Sequence, residues 1–199
     1  MGAETTFYPI GQRKTIWAVH PPLAGTCGDG YNRLMIDTPS PHVILDLADE
    51  TATEALAIRL SGMCGRGDMF SLKGELGMGK TVFARAFVRA QTSPDEDVPS
   101  PTFTLLQVYE TASEPIYHFD LYRLKSADEI IELGFEDALD EGIALVEWPD
   151  RLGVYLPRDR LEVELVPGAS EGARRARLTG YGYWQARMTD AFLDGKIHA

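Results

Sequence analysis

Residues Gly74 to Thr81 read G-E-L-G-M-G-K-T, and this octet restricts the fold more than any other stretch of the chain. It fits G-x-x-x-x-G-K-[ST], a loop that wraps phosphate groups between a strand and a helix. Its glycines allow positive φ, so that consecutive backbone N–H groups turn toward one centre. The backbone from Glu75 through Leu76, Gly77, Met78 and Gly79 would form the cradle. Lys80 would reach the β- and γ-phosphates, and the Thr81 hydroxyl would ligate Mg²⁺. A helix starting at the end of the loop adds a dipole that favours an anion. The flanks agree with this arrangement. Asp68 to Lys73 (D-M-F-S-L-K) predicts a strand leading in. Lys80 to Ala90 predicts a helix leading out, with Phe83, Phe87 and Ala90 at helical spacing.

The remaining pattern places this unit in an α/β domain. Val43 to Leu47 predicts a strand. Thr51 with Glu54 forms a capping box, and Ala52, Leu56, Leu60 and Met63 follow along one helical face. Phe103 to Tyr109 and Ile116 to Leu121 predict two further strands. Ser126 and Glu129 predict a second capped helix that runs to Leu133 and is stopped by Gly134. Ile143 to Val146 is wholly apolar, as in a buried strand. Leu161 to Val166 alternates as a half-exposed strand does, and Arg174 to Thr179 is expected to pair with it. Tyr183 to Leu193 predicts a terminal helix. Strands that alternate with helices give a sheet with parallel strands at its centre, joined by antiparallel ones and flanked by helices. The domain spans 43–199. Residues 1–42 hold five prolines and no sustained periodicity, and predict an irregular N-terminal extension.

Charge and cysteine content limit the function classes. The 199 residues carry a net charge of −11, which disfavours direct binding to a polyanion such as RNA. Any RNA surface is expected to come from a partner. Cys27 and Cys64 have no metal or redox spacing and predict reduced thiols in a cytoplasmic protein. No apolar run is long enough to span a membrane, and Thr15 to His20 is too short for a signal-peptide core.

Nucleotide hydrolysis needs more than a phosphate loop. It needs a metal-holding carboxylate and a means of orienting water. Asp120 and Glu147 each close a predicted strand, at the strand ends where open α/β sheets bind ligands. The alternative for each is a carboxylate that only solvates or caps. Ser100 to Thr104 (S-P-T-F-T) follows an acidic loop. It reads either as a simple turn or as a segment that folds over a γ-phosphate, with Thr102 as its sensor. His118, two residues before Asp120, reads as a packed, hydrogen-bonded histidine. Trp148 either packs or shapes the site. Arg174, Arg175 and Arg177 form a small basic cluster that reads as a solvated strand edge or as a phosphate or partner contact.

Four segments together resemble one family. G-E-L-G-M-G-K-T, S-P-T-F-T, Y-H-F-D-L-Y-R (Tyr117 to Arg123) and L-V-E-W-P (Leu145 to Pro149) stand in the order and approximate spacing of the bacterial TsaE (YjeE) family of tRNA threonylcarbamoyladenosine biosynthesis proteins. The resemblance covers about Leu45 to Arg177. It implies a small P-loop ATPase that binds ATP and Mg²⁺ and works with the TsaB and TsaD subunits. In that reading tRNA is met only through the complex, and ATP hydrolysis resets the transferase between turnovers. The resemblance also implies that Thr81 and Glu147 are the Mg²⁺ ligands and that Asp120 is the Walker-B-like acid, grouped with them at the metal. It makes Thr102 the switch threonine and puts Glu50 and Thr53 beside the nucleotide base. The extension has no counterpart in the compact family.

Two other classes compete. A P-loop kinase of a nucleoside or small metabolite has the right size, but no Arg-rich lid segment is visible. A non-catalytic assembly switch would use nucleotide only to order a binding surface. A GTPase is disfavoured, because no N-K-x-D segment exists and Asp120 is followed by Leu-Tyr-Arg.

Overall fold

A computed structural model describes residues 42–193. The extension expected over 1–42 therefore lies outside the described residues, apart from His42. Seven strands form one sheet: β1 (His42–Leu47), β2 (Met69–Lys73), β3 (Leu106–Tyr109), β4 (Ile116–Asp120), β5 (Ile143–Glu147), β6 (Arg160–Pro167) and β7 (Arg174–Tyr181). Their order across the sheet is β1-β7-β6-β2-β5-β4-β3. The central run β6-β2-β5-β4 is parallel; β7 and β3 join it antiparallel at its two sides, and β1 pairs antiparallel with β7. This is the expected class.

Strand alternation divides the core in two. Phe70, Leu72, Ile116, Leu145, Leu165 and Leu178 point to one face. There they meet α1 (Glu50–Ser61), α2 (Lys80–Gln91) and α5 (Trp184–Leu193). Phe70 packs edge-on against both Phe87 and Trp184, with centroids 4.8 and 5.2 Å apart. Met69, Phe119, Ala144 and Val146 point the other way. That face is covered by α3 (Glu129–Glu132), α4 (Phe135–Glu141) and a 3-10 segment, Pro149–Tyr155.

Several local expectations are corrected. Asp49, not Thr51, caps α1, and its Oδ1 accepts the Ala52 N–H at 2.8 Å. Only half of the Ser126–Glu129 box forms: Glu129 Oε1 accepts the Ser126 N–H at 3.0 Å, but Ser126 Oγ accepts the Asp128 N–H at 3.3 Å. The Glu129 N–H goes to the Ser126 carbonyl, and Asp128 is the N-cap of α3 without a side-chain bond. Its helix is only one turn long, however. Gly134, at φ 69°, is a joint and not a stop, because it starts α4 and lets Phe135 and Ala138 enter the core. The strand expected from Phe103 begins only at Leu106, since Pro101–Leu105 closes a tight turn through a 2.7 Å bond from Leu105 N–H to the Pro101 carbonyl. The arginine cluster is not on a sheet edge, because β7 lies between β1 and β6.

Candidate functional site

The parallel strands β2, β5 and β4 end side by side. β2 runs directly into the glycine loop, and Gly79, at φ 99°, starts α2. Asp120 and Glu147 are register partners at the ends of β4 and β5. Alternation turns His118, Asp120 and Glu147 to the face that carries α2, so Thr81 in the first turn of α2 faces Glu147. The loop, these strand ends and residues 100–102 enclose a cleft of about 280 Å³. Gly77, Lys80, Thr81, Thr102, Asp120 and Glu147 all line it.

Lys80 is buried. Its Nζ donates to the Gly74 carbonyl at 2.7 Å and to the Glu75 carbonyl at 2.8 Å, and lies 4.0 Å from the centre of the Trp148 ring. Burial is the largest influence on the ammonium and lowers its pKa, while the charges of Glu147 and Asp120 act in the opposite direction. The Thr81 hydroxyl lies 3.1 and 3.2 Å from the two carboxylate oxygens of Glu147. His118 is fully buried, and its Nε2 lies 3.1 Å from Glu147 Oε1. Facing a carboxylate, that nitrogen is the donor, while Nδ1 has no hydrogen-bond partner among the described residues.

Asp120 is arranged differently. Its Oδ2 accepts from Ser100 Oγ at 2.8 Å and from Thr102 Oγ1 at 2.7 Å, and its Oδ1 accepts the Tyr122 N–H at 3.1 Å. The two hydroxyls are themselves 2.6 Å apart. Asp120 therefore ties the S-P-T segment to the strand end, whereas Glu147 faces the loop's own hydroxyl. This donor set fits Mg²⁺, a hard cation held by one or two carboxylates, with the other positions left to phosphate and water oxygens. No group of three or more His, Cys, Asp or Glu residues suited to a protein-only metal cage occurs among the described residues.

The other sequence-predicted residues separate. Glu50 and Leu76 line the cleft, and Leu76 is 77% exposed. Glu75 and Met78 face a neighbouring cavity of about 480 Å³ behind the loop. Thr53 is not brought to the cleft. It is fully buried on the core side of α1, where its hydroxyl donates to the Asp49 carbonyl at 3.3 Å. Sequence reasoning named no role for Tyr122 or Val82, and none for Ser100 beyond its place in the S-P-T-F-T segment, yet all three line the cleft. Trp148 and Arg174 line it as well, and Trp148 also packs against the core on the face of the sheet that α3 and α4 cover.

Known proteins resemble both the chain and the fold. A family profile for threonylcarbamoyl adenosine biosynthesis protein TsaE matches residues 47–176. The chain is 43% identical over 122 residues to the tRNA threonylcarbamoyladenosine biosynthesis protein TsaE of Rickettsia felis, covering 61% of this chain and 71% of that one. It is 34% identical over 131 residues to the protein of the same name from Bacillus subtilis, covering 65% and 80%. The crystal structure of YdiB from Bacillus subtilis superposes with a TM-score of 0.65 at 24% identity, over 79% of this chain and 98% of that one, and so shares the fold.

Proposed function

The chain belongs to the TsaE family of threonylcarbamoyl adenosine biosynthesis proteins, and on that premise we propose that it binds and hydrolyses ATP with Mg²⁺ as a subunit of the tRNA threonylcarbamoyladenosine modification complex. Its partners in this reading are the TsaB and TsaD subunits, and its hydrolysis resets their transferase between turnovers. One observation carries the proposal most directly. The Thr81 hydroxyl and the Glu147 carboxylate meet at 3.1–3.2 Å beside Lys80, at the mouth of a glycine loop and at the ends of parallel strands.

Each residue then has a task. The backbone of Glu75 to Gly79 offers N–H groups to the phosphates. Lys80 leaves the two loop carbonyls it now bonds and moves to the phosphate oxygens, guided by the Trp148 ring. Thr81 and Glu147 would hold the metal, with His118 fixing the carboxylate's orientation. Bound there, Mg²⁺ would neutralise charge on the β- and γ-phosphates. The cleft needs that charge, since among the described residues Glu50, Asp120 and Glu147 line it opposite Lys80 and Arg174. Asp120 holds Thr102 and Ser100 where a γ-phosphate would arrive, so the S-P-T segment senses whether the triphosphate is intact. The acidic chain reaches tRNA through its partners and not directly.

The test is the rate of ATP hydrolysis with Mg²⁺, measured for the full chain alone and with purified TsaB and TsaD. Slow turnover that the partners accelerate supports the proposal. Nucleotide binding without turnover in either state would replace it with an assembly switch, and phosphoryl transfer to a nucleoside would replace it with a kinase.

A further inference from the structure

Three arginines stand close together on β7, but only one faces the cleft. Alternation sends Arg175 and Arg177 to the face where Asp46 (2.9 Å) and Glu164 (3.6 Å) pair with them. Arg174 points the other way, with Ala176 and Leu178, toward α1 and α2. Its backbone is held on both sides, by Leu47 of β1 and by Pro167 of β6. Its side chain spans three elements. Nε donates to the Met78 carbonyl in the glycine loop at 3.0 Å, and Nη1 donates to the Gly172 carbonyl at 2.8 Å. Nη2 lies 4.0 Å from Glu50 at the start of α1. The contact with the loop is tight, since a Cβ on Gly79 would sit 3.0 Å from Arg174 Nε.

The planar peptide gives this contact a consequence. In a trans peptide the carbonyl and the N–H point in opposite directions. With the Met78 carbonyl turned to Arg174, the Gly79 N–H of the same peptide is directed away from it. We propose that Arg174 is a positioning residue for the phosphate loop: it fixes the Met78–Gly79 peptide so that the Gly79 N–H is presented to a nucleotide phosphate. This rests on the nucleotide-binding reading above. The design suits the task, because an orienting group on a strand paired at both edges has little freedom to drift. A lysine lacks the fork that serves Met78 and Gly172 together.

The test uses the full chain and two readouts, one of which needs no nucleotide. Hydrogen exchange is followed across residues 74–81 in the nucleotide-free protein. Affinities for ADP and ATP, and turnover at saturating ATP, are measured in parallel. Arg174→Ala should speed exchange in the loop while leaving β2 and the centre of α2 protected. It should weaken ADP and ATP binding together, by about tenfold, and change kcat by less than about twofold, because the phosphate contact is the same in ground and transition states. Arg174→Lys should be intermediate, and Arg175→Ala should match the wild type. Wild-type loop exchange and affinity in Arg174→Ala would overturn the proposal. So would faster exchange throughout the sheet with a collapsed melting temperature, since that would make Arg174 a support of the fold alone. If the wild type binds neither nucleotide while loop exchange still depends on Arg174, the nucleotide reading fails and the grip on the loop stands.

Discussion

Replacing His118 with leucine should separate stability from metal use. His118 is fully buried on β4, opposite Leu145 of β5, and its Nε2 donates to Glu147 across 3.1 Å. Losing a hydrogen bond to a charged group costs about 1.5–3 kcal/mol. The same substitution removes Nδ1, a buried nitrogen without a partner among the described residues, and relieves an unsatisfied polar group worth about 1–3 kcal/mol. Leucine is of similar size and apolar, so the two terms largely cancel. The net change should stay within about 1 kcal/mol, a shift of roughly 2–4 °C in melting temperature for a chain of this length. Function should respond far more. A group that orients a metal-holding carboxylate is typically worth about 10–100-fold in metal affinity or activity. The assay is turnover at fixed ATP against Mg²⁺ concentration, beside a thermal melt followed by circular dichroism. The expected result is a near-unchanged melt with a Mg²⁺ half-saturation raised at least about tenfold. An unchanged Mg²⁺ curve would reduce His118 to packing. A melt lowered by more than about 10 °C would refute the cancellation itself.

Lys80→Ala removes the charged donor at the loop and should weaken ATP binding by about ten- to hundredfold, read by calorimetry; unchanged affinity would refute its role. Thr102→Ala should lower turnover by about tenfold or more yet leave ADP affinity within about twofold, because a γ-phosphate sensor meets only the triphosphate state. Parallel losses for ADP and a non-hydrolysable ATP analogue would make Thr102 structural. Burial, reinforced by the negative charge of Asp68, raises the Cys64 thiol to about 12, so in the folded protein it should resist iodoacetamide at pH 8, as mapped by peptide mass spectrometry. Since the folded value exceeds the ordinary 9.0, the stability linked to this thiol is fully present below pH 9. It is lost as pH rises toward about 12, so denaturant midpoints for the wild type should fall more steeply over that range than for Cys64→Ala.

What the sequence disclosed depended on the range of the physics involved. The glycine loop and its helix were legible because their requirements are local: positive φ at fixed offsets and an apolar stripe on α2. Asp120 and Glu147 were legible as strand ends, but their adjacency depends on β4 and β5 being register neighbours, which no local pattern encodes. Arg174 was obscured for a similar reason. Nothing local reveals that β7 lies between β1 and β6, although alternation with Ala176 and Leu178 would have separated it from Arg175 and Arg177. Thr53 carried a signal that went unused. It stands three, four and seven residues before Leu56, Ala57 and Leu60, the buried stripe of α1, and this spacing points it to the core. Gly134 showed the limit of reading glycine as punctuation, since the same left-handed backbone that ends one helix can start the next.

The least legible features are two backbone bends, and both shape the cleft. Leu105 and Trp148 are the non-glycine residues of positive φ among those described, at 64° and 61°. Such conformations cost of order 1–3 kcal/mol and persist where their surroundings enforce them. At Leu105 the enforcement is a pair of backbone bonds: its N–H donates to Pro101 and its carbonyl accepts the Asp120 N–H at 3.1 Å. This turn folds the S-P-T segment back over Asp120, so that both hydroxyls reach one carboxylate oxygen. An extended Leu105 would instead prolong β3 and carry Ser100 and Thr102 away. At Trp148 the following Pro149 disfavours the right-handed helical region, leaving an extended or a left-handed backbone. The extended choice would continue β5 past Glu147. The left-handed one turns the chain at Glu147 and brings the indole beside Lys80, with Tyr122 on it at 5.0 Å. Both bends thus end regular structure where β4 and β5 present their carboxylates, and residues that resist such a backbone are held in it because the cleft depends on the turn.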